Sequence, residues 1–429
     1  MAVPFRFIHA ADLHLHSPFR GLSQMPEGIQ DRLRQSTFGA LRSLTDTAIR
    51  EKVDFMVIAG DLFDEADRSL KAQLALVREW EKLSEHGIQV FVIHGNHDPL
   101  SGARASLRLP SNVTIFGSDR MTYEPAYRRD GELAAFVYGM SYGTRHVTDN
   151  LAAGYVKAAG APFHIAMLHG NVNGDAEHDP YAPCSLTELI SKGYDYWALG
   201  HIHKRAVLHT YPHVVYPGNT QGRHSREQGA KGCYVNEVRE TGELVMTFCE
   251  LHEVLWSDIE VPIGGLHTEH ELANRLQEVL LQELDKAGES TVMLRFVLTG
   301  TGRLHHELMS AVTVSVLLEQ LQELCLEQPE AGWVYHLEAA TAPEYSRQLL
   351  EEEDSFIGEM LRLAARMEAD EGRLRALTDE AVAPLTGHAR LGRLLRSKWD
   401  KHPQERLRKA SELAIHLLAV EANAGKIET

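Results

Sequence analysis

The sequence has few of the features that mark secreted, membrane-spanning or thiolate-metal proteins. Its four cysteines, Cys184, Cys233, Cys249 and Cys325, form no CxxC pair, so neither a disulfide framework nor a thiolate zinc site is expected. No apolar run in the chain approaches the roughly 18 residues needed to cross a bilayer. The first residues read directly into a strand and lack the architecture of a signal peptide. We therefore expect a cytoplasmic protein with no membrane association.

Basic residues are also fewer than acidic ones. The 43 lysines and arginines against 60 aspartates and glutamates leave a formal net charge of −17, which argues against a protein that coats nucleic acid with a basic surface. Nucleic acid remains possible as a substrate, because bound divalent cations can supply local positive charge. Histidine is abundant, with 24 copies, and it is the commonest side-chain ligand of metals.

Hydrophobic periodicity divides the 429 residues into three predicted regions. Residues 1–252 alternate short apolar runs with amphipathic stretches, which predicts βαβ units around a largely parallel, buried sheet with additional strands at 207–216. Residues 253–343 are strongly acidic and read as strand, helix, strand, helix, strand, with the second helix over 304–327. They predict a small α/β capping domain. Residues 344–429 carry apolar residues at helical spacing and predict a helical C-terminal region.

Metal-binding side chains follow five of the apolar runs, each at the carboxyl end of a predicted strand. These runs are 5–10, 55–59, 90–93, 165–168 and 196–199. Because the carboxyl ends of parallel strands in an open α/β sheet share one rim, we expect the side chains behind them to converge. They are Asp12, His14, Asp61, Asn96, His97, His169, His201 and His203.

The chemistry of these side chains favours a pair of cations. Carboxylate, imidazole and carboxamide ligands without thiolate suit Mn, Fe or Zn. The ligands are too many for one ion, and a carboxylate such as Asp61 can bridge two ions in the manner of two-metal nucleases. The alternations Asp12-x-His14 and His201-x-His203 place both members of each pair on one side of an extended segment.

Further histidines and aspartates flank the predicted ligands in the sequence. His9, His16 and His94 flank the motifs, and we expect them to be hydrogen-bonded structural histidines rather than ligands. Asp64 and Asp98 are expected to orient ligand histidines, since a ligating imidazole usually donates its other N–H to such a partner.

The ordered motifs resemble the calcineurin-like metallophosphoesterase superfamily. They are Asp12-x-His14, Gly60-Asp61-x-x-Asp64, Gly95-Asn96-His97-Asp98, His169 and Gly200-His201-x-His203. Within that superfamily the chain is similar to the SbcD-type DNA-repair exonucleases, especially their YhaO-like bacterial branch. The resemblance covers about residues 5–250 and is only architectural beyond residue 255. It implies a four-layer αββα sandwich, followed by the α/β capping domain and a C-terminal helical arm.

The resemblance also implies roles for individual residues. One metal would be held by Asp12, His14 and His203, the other by Asn96, His169 and His201, with Asp61 between them. His97 would face the scissile phosphate, and His97 and Asp98 are the predicted catalytic residues.

Two further residues and two departures from the family pattern stay open at this point. Arg223 and His224 either contact substrate or belong to a turn that closes the sheet. Asp64 stands where archaeal and eukaryotic relatives often have a histidine, so the balance of exonuclease and endonuclease activity is undecided. The polar loop 171–183 is longer than expected, which leaves the shape of the substrate undecided.

The favoured function is a two-metal-dependent DNA nuclease in DNA repair or DNA-end processing. The cations, most simply Mn²⁺ but with Fe or Zn also suitable, would acidify a water that attacks phosphorus in line, while His97 serves the leaving oxygen. The resemblance implies DNA as partner, an SMC-like ATPase of the SbcC/YhaN type, and a homodimer. Two alternatives remain: a metallophosphoesterase acting on nucleotides or other small phosphodiesters, and a DNA-end-binding scaffold using the basic segment 390–409.

Overall fold

The computed structural model describes residues 3–17, 19, 25–64, 69–102, 108–174, 181–328, 330–386 and 402–424. The strands up to residue 250 form two sheets. In chain order they are β1 (Phe5–Ala10), β2 (Phe55–Ala59), β3 (Gln89–Ile93), β4 (Val113–Ile115), β5 (Thr122–Tyr127), β6 (Leu133–Gly139), β7 (His164–His169), β8 (Tyr196–Gly200), β9 (Ala206–Thr210), β10 (His213–Tyr216), β11 (Gly232–Val238) and β12 (Leu244–Glu250). The accompanying helices are α1 (Glu27–Arg50), α2 (Leu70–Glu85) and α3 (Leu186–Ser191).

The first sheet has the strand order β12-β11-β1-β2-β3-β4. Strands β1 to β4 run parallel, and β11 and β12 extend the sheet in antiparallel fashion. Side chains alternate between two cores, as the period of a strand requires. Ile8 and Ile58 belong to the core shared with α1 and α2, whereas Phe7 and Phe55 belong to a second core shared with the other sheet.

The second sheet has the strand order β5-β6-β7-β8-β10-β9. Its inner residues, such as Ile165 and Met167, join the core that contains Phe7 and Phe55. Its outer residues, such as Trp197, pack in a third core with Leu189 of α3. The layers therefore run helix, sheet, sheet, helix, which confirms the predicted αββα sandwich.

The predicted single rim is wrong, although the predicted convergence is right. Strands β1, β2 and β3 belong to the first sheet, whereas β7 and β8 belong to the second. Their carboxyl ends come together because the two sheets pack face to face through a common apolar core.

The remaining elements are a three-stranded sheet with its helices and a run of helices. They are β13 (Val254–Pro262), α4 (Glu269–Lys286), β14 (Thr291–Thr301), α5 (His305–Leu308), α6 (Ala311–Glu327), β15 (Gly332–Ala342), α7 (Arg347–Glu352), α8 (Phe356–Glu368), α9 (Glu371–Thr386) and α10 (Pro403–Ala424). The sheet order is β13-β14-β15. The helix predicted over 304–327 is divided into α5 and α6, because the Ser310 hydroxyl accepts the amide of Thr313 and begins a new helix.

The chain groups into two compact units. The first comprises Met1–Ile259, Glu278–Arg295 and Gln320–His336, and the second comprises Glu260–Gln277, Phe296–Glu319 and Leu337–Thr429. Within the second, α8 contacts α7, α9 and α10. The predicted domain boundaries after residues 252 and 343 stay a prediction.

Two sequence features fall wholly or partly outside the described residues. Of the basic segment 390–409, residues 390–401 lie outside them, and so do residues 175–180 of the polar loop. Across the ranges that are described, no helix combines the length and the apolar character needed to span a bilayer.

Candidate metal centre

The loops that follow β1 and β2 are joined by backbone hydrogen bonds. The amide of Asp12 donates to the Gly60 carbonyl (3.1 Å), and the amide of His14 donates to the Asp61 carbonyl (3.0 Å). Asp12, His14, Asp61 and His201 have positive φ angles of 53°, 43°, 52° and 93°. Such angles are uncommon outside glycine and cost roughly 1–3 kcal/mol each, and they cluster at functional sites. The backbone is therefore strained at four of the positions that were predicted as ligands.

The predicted ligands converge. Three overlapping groups have ligand atoms within 4.8 Å of one another: Asp12 with His14 and His203, Asp12 with Asp61 and His169, and His14 with Asp64 and His97. Asn96 adjoins the second group, since its Oδ1 lies 3.0 Å from His169 Nε2. The His201 ring lies beside the His169 ring, with centroids 5.3 Å apart, and the His201 amide donates to the Asp12 carboxylate (3.1 Å).

Two imidazoles face each other across the first group, each held from behind by a carboxylate. His14 Nδ1 pairs with Asp64 Oδ1 at 2.8 Å, and His203 Nδ1 pairs with Glu227 Oε1 at 2.6 Å. The Nε2 atoms of the two rings lie 3.1 Å apart. Burial is the largest cause that lowers the pKa of both histidines, to about 3 for His203.

Neutral rings in this arrangement turn lone pairs toward each other. Because Nδ1 of each ring donates to a carboxylate, Nε2 of each is an acceptor. Two acceptors at 3.1 Å repel unless a cation lies close to both. The geometry of His14 and His203 therefore fits a site in which both Nε2 atoms bind a cation.

The Asp61 carboxylate lies close to the imidazoles of both His14 and His169. Its Oδ1 accepts the amide of His97 at 3.0 Å. Its buried Oδ2 lies 3.7 Å from His14 Nε2 and 3.3 Å from His169 Nε2, and its hydrogen-bond donor is His169 when that ring is protonated. Once His169 is neutral, as a metal ligand must be, this buried oxygen loses its donor, which is costly, and a cation would satisfy it.

His169 is the most enclosed of these side chains. Its Nδ1 donates to the Ala59 carbonyl (2.9 Å), which turns Nε2 toward Asp61 and Asn96. Burial works against protonation of His169, but the charge of Asp61, its hydrogen bond with His169 and the charge of Asp12 outweigh burial and raise the pKa of His169 to about 9. A Cβ added at Gly95 would lie 2.6 Å from His169 Nε2, so glycine is required for this close approach.

His97 and Asp64 lie at the exposed side of the site. His97 Nδ1 lies 3.1 Å from Asp64 Oδ1, and the other Asp64 oxygen accepts the Ser17 hydroxyl. Burial would lower the pKa of His97, but the hydrogen bond to Asp64 and the charges of Asp61 and Asp64 raise it above its usual value. Asp64 thus contacts two imidazoles, in agreement with the orienting role expected for it.

The Asp98 carboxylate pairs with His94 and not with His97. It lies 2.8 Å from His94 Nδ1 and accepts the amides of Leu62 (2.9 Å) and Gly95 (2.8 Å). These contacts fix the loop that carries the site, and the carboxylate beside His97 is Asp64. A catalytic role for Asp98 stays a prediction.

The flanking histidines have hydrogen-bond partners of their own. His9 lies between the Tyr196 hydroxyl (3.0 Å) and the Leu199 carbonyl (3.1 Å), and His16 Nδ1 lies 2.8 Å from the Ser69 hydroxyl. Both arrangements agree with the structural interpretation made from the sequence.

Glu227 is the residue of the site that sequence reasoning missed. Its link to His203 spans 24 positions, and no spacing rule connects a glutamate in a turn with a histidine behind a strand. Arg223, predicted as a substrate contact or part of a turn, is only 13% exposed and lies against Asp64 and Glu227. His224 is half exposed, with Nε2 3.4 Å from Glu227 Oε1.

Comparisons with known proteins agree with this chemistry. Residues 5–205 match the family described as Calcineurin-like phosphoesterase, and residues 256–342 match the family described as Metallophosphoesterase YhaO, middle domain. The chain is 44% identical over 361 residues to a Bacillus subtilis (strain 168) protein named Uncharacterized metallophosphoesterase YhaO, a match covering 83% of this chain and 86% of that protein.

More distant matches carry a DNA-related name. The chain is 29% identical over 214 residues to the DNA double-strand break repair protein Mre11 of Sulfurisphaera tokodaii, covering 47% of this chain and 50% of that protein. It is 26% identical over 303 residues to the protein of the same name from Methanopyrus kandleri, covering 63% and 62%.

Proposed function

Because the chain belongs to the calcineurin-like phosphoesterase family, within its YhaO-like branch, we propose that it is a two-metal DNA nuclease acting in DNA repair or DNA-end processing. Family membership makes it a metallophosphoesterase, a hydrolase that binds two divalent cations. The observation that carries the two-cation part of this proposal is Asp61 Oδ2, a buried oxygen lying 3.7 Å from His14 Nε2 and 3.3 Å from His169 Nε2.

The residues divide into two ligand sets. Asp12, His14 and His203 would hold one cation, and Asn96, His169 and His201 the other, with Asp61 shared. When bound, the cations supply an acidified water and offset the charge that develops on the phosphate. Mn²⁺ suits this mixture of oxygen and imidazole ligands, as do Fe and Zn.

His97 would act on the phosphate rather than on a cation. Its Nδ1 is engaged by Asp64, so Nε2 is the nitrogen that can carry a proton to the leaving oxygen. The raised pKa of His97 favours the protonated ring that donation from Nε2 requires. Asp64 acts on this step as a positioning residue.

DNA is favoured as substrate by the Mre11 relatives, whose printed name refers to double-strand break repair. The chain matches only about half of the length of the first of them. The substrate and the partners of this chain are therefore proposals. Duplex or single-stranded ends fit an acidic protein only if the cations, not the surface, supply the positive charge.

The partner and the dimer are proposed on exposed apolar side chains. Phe356 and Leu363 of α8 are 71% and 46% exposed, and we assign them to an SMC-like ATPase of the SbcC/YhaN type, as the family resemblance implies. Leu70 and Leu74 of α2 are also exposed, and they would contribute to a homodimer through the helices of the phosphoesterase domain.

A His97→Ala variant tests the central proposal. It should bind two equivalents of Mn²⁺ as the native protein does but lose most hydrolysis of both linear DNA and bis-p-nitrophenyl phosphate, typically about 10²–10⁴-fold. His86→Ala, an exposed histidine at the end of α2, is the matched control and should retain full activity. Normal turnover by His97→Ala would show that the assigned role is wrong.

Native turnover of the two substrates separates a nuclease from a small-ester phosphoesterase. A nuclease should degrade linear DNA in the same Mn²⁺ buffer in which it hydrolyses the small diester. Hydrolysis of the small diester alone would contradict the DNA proposal while leaving the metal centre intact.

A further inference from the structure

Residues 222–229 form a loop whose side chains contact the metal centre from outside. Glu227 is buried and uses both carboxylate oxygens: Oε1 lies 2.6 Å from His203 Nδ1, and Oε2 accepts the Asn219 side-chain amide (2.9 Å) and the Arg223 backbone amide (2.7 Å). Glu227 therefore fixes both the ring of His203 and the course of its own loop.

Arg223 connects the two carboxylates that stand behind the imidazoles. Its Nη1 lies 3.2 Å from Asp64 Oδ2, and its Nη2 lies 3.4 Å from Glu227 Oε1. Asp64 in turn holds the Nδ1 atoms of His14 and His97. One nearly buried guanidinium thus pairs with both carboxylates and keeps them at a fixed separation.

Trp256 forms hydrogen bonds with both ends of the 222–229 loop. Its indole Nε1 donates to the Gly222 carbonyl (3.0 Å), and its own carbonyl accepts the amide of Gly229 (3.1 Å). Just before the loop, the Gln221 side chain exchanges hydrogen bonds with the backbone of Glu253 and Val254. Trp256 is buried, and it is the first residue matched to the YhaO middle domain.

We propose that Arg223 and Glu227 are positioning residues that hold the Nε2 atoms of His14 and His203 toward one cation, and that Trp256 keeps their loop in place. The proposal rests on the metal-ligand assignment above, and it adds a dependence of that site on the start of the middle domain. Arg223 accordingly acts on the site through the two carboxylates that it links.

The test compares Arg223→Ala with Arg226→Ala in the full-length protein. Both substitutions remove an arginine from the same loop, but Arg226 is exposed, whereas Arg223 is not. Mn²⁺ is titrated into each protein and followed by calorimetry and by electron paramagnetic resonance. Arg223→Ala should weaken one of the two sites by about 10–100-fold, as the loss of outer-shell partners typically does. With two equivalents of Mn²⁺ added, Arg223→Ala should show isolated ions where the native protein and Arg226→Ala show coupled pairs.

A second pair of variants keeps the proposal testable if Arg223→Ala fails to fold, which circular dichroism would reveal. Glu227→Gln preserves the shape of the side chain, and Trp256→Phe preserves the aromatic ring while removing the indole N–H. Each should weaken the same site by about tenfold. Native affinity at both sites in the folded variants would overturn the proposal. Absence of DNA cleavage by the native protein would contradict the nuclease function but would not alter this outcome, because Mn²⁺ binding is read directly.

Discussion

At the scale of single residues, the site is defined by which nitrogen of each imidazole points inward. His14, His169 and His203 all have Nδ1 engaged, by Asp64, the Ala59 carbonyl and Glu227. Each of these histidines lies at or shortly after the end of a strand, which is the signal that marked it in the sequence as a candidate ligand. The sequence could not predict Glu227, since that contact depends on how a turn folds back rather than on any spacing.

Uptake of metal should release protons. In the metal-free protein the pKa of His169 is raised to about 9, so the ring is protonated at about pH 7, whereas a metal ligand must be neutral. We expect Mn²⁺ affinity to rise with pH by about tenfold per unit for each proton released, up to about pH 9. Calorimetry in two buffers of different ionisation enthalpy should show a buffer-dependent heat of Mn²⁺ binding. An identical heat in both buffers would contradict the proton release.

At the scale of strands and loops, the sequence predicted the order of elements better than their arrangement. Alternating apolar runs located β1, β2, β3, β7 and β8 to within a residue or two. The division of these strands between two sheets could not be read from them, because each run is buried on both faces and carries no signal of its sheet. The ligands nevertheless meet, since both sheets share one core.

Gly95 lies against two side chains of the candidate metal centre, Asp61 and His169. A Cβ there would lie 2.3 Å from Asp61 Oδ1 and 2.6 Å from His169 Nε2, so Gly95→Ala should displace both side chains and weaken Mn²⁺ binding by at least about tenfold. Gly117→Ala is the matched control, because an added Cβ at Gly117 meets nothing within 4 Å. Thermal unfolding should show that both variants remain folded. Undiminished Mn²⁺ affinity in Gly95→Ala would show that this close approach is not needed.

At the scale of the whole molecule, a net charge of −17 must be reconciled with a polyanionic substrate. Long-range attraction of DNA is not available to such a protein, so binding would depend on the cations and on a partner. The predicted metal ligands all lie within residues 1–252, whereas α8, in the helical C-terminal region, bears exposed apolar side chains. We therefore expect the phosphoesterase domain to cleave the substrate and α8 to bind the partner. Substitutions in α8 alone can test this division.

Substitution of the exposed apolar side chains of α8 should remove the partner and spare the chemistry. Phe356 and Leu363 lie two helical turns apart and so share one face of α8, and neither is needed for the core because they are 71% and 46% exposed. The double variant Phe356→Ser, Leu363→Ser should lose co-purification with the SMC-like ATPase and hydrolyse bis-p-nitrophenyl phosphate at the native rate. Leu281→Ser, on α4 and also 46% exposed, controls for loss of surface apolar area and should keep the ATPase. Retention of the ATPase by the double variant at native stoichiometry would exclude this face of α8 as the docking surface.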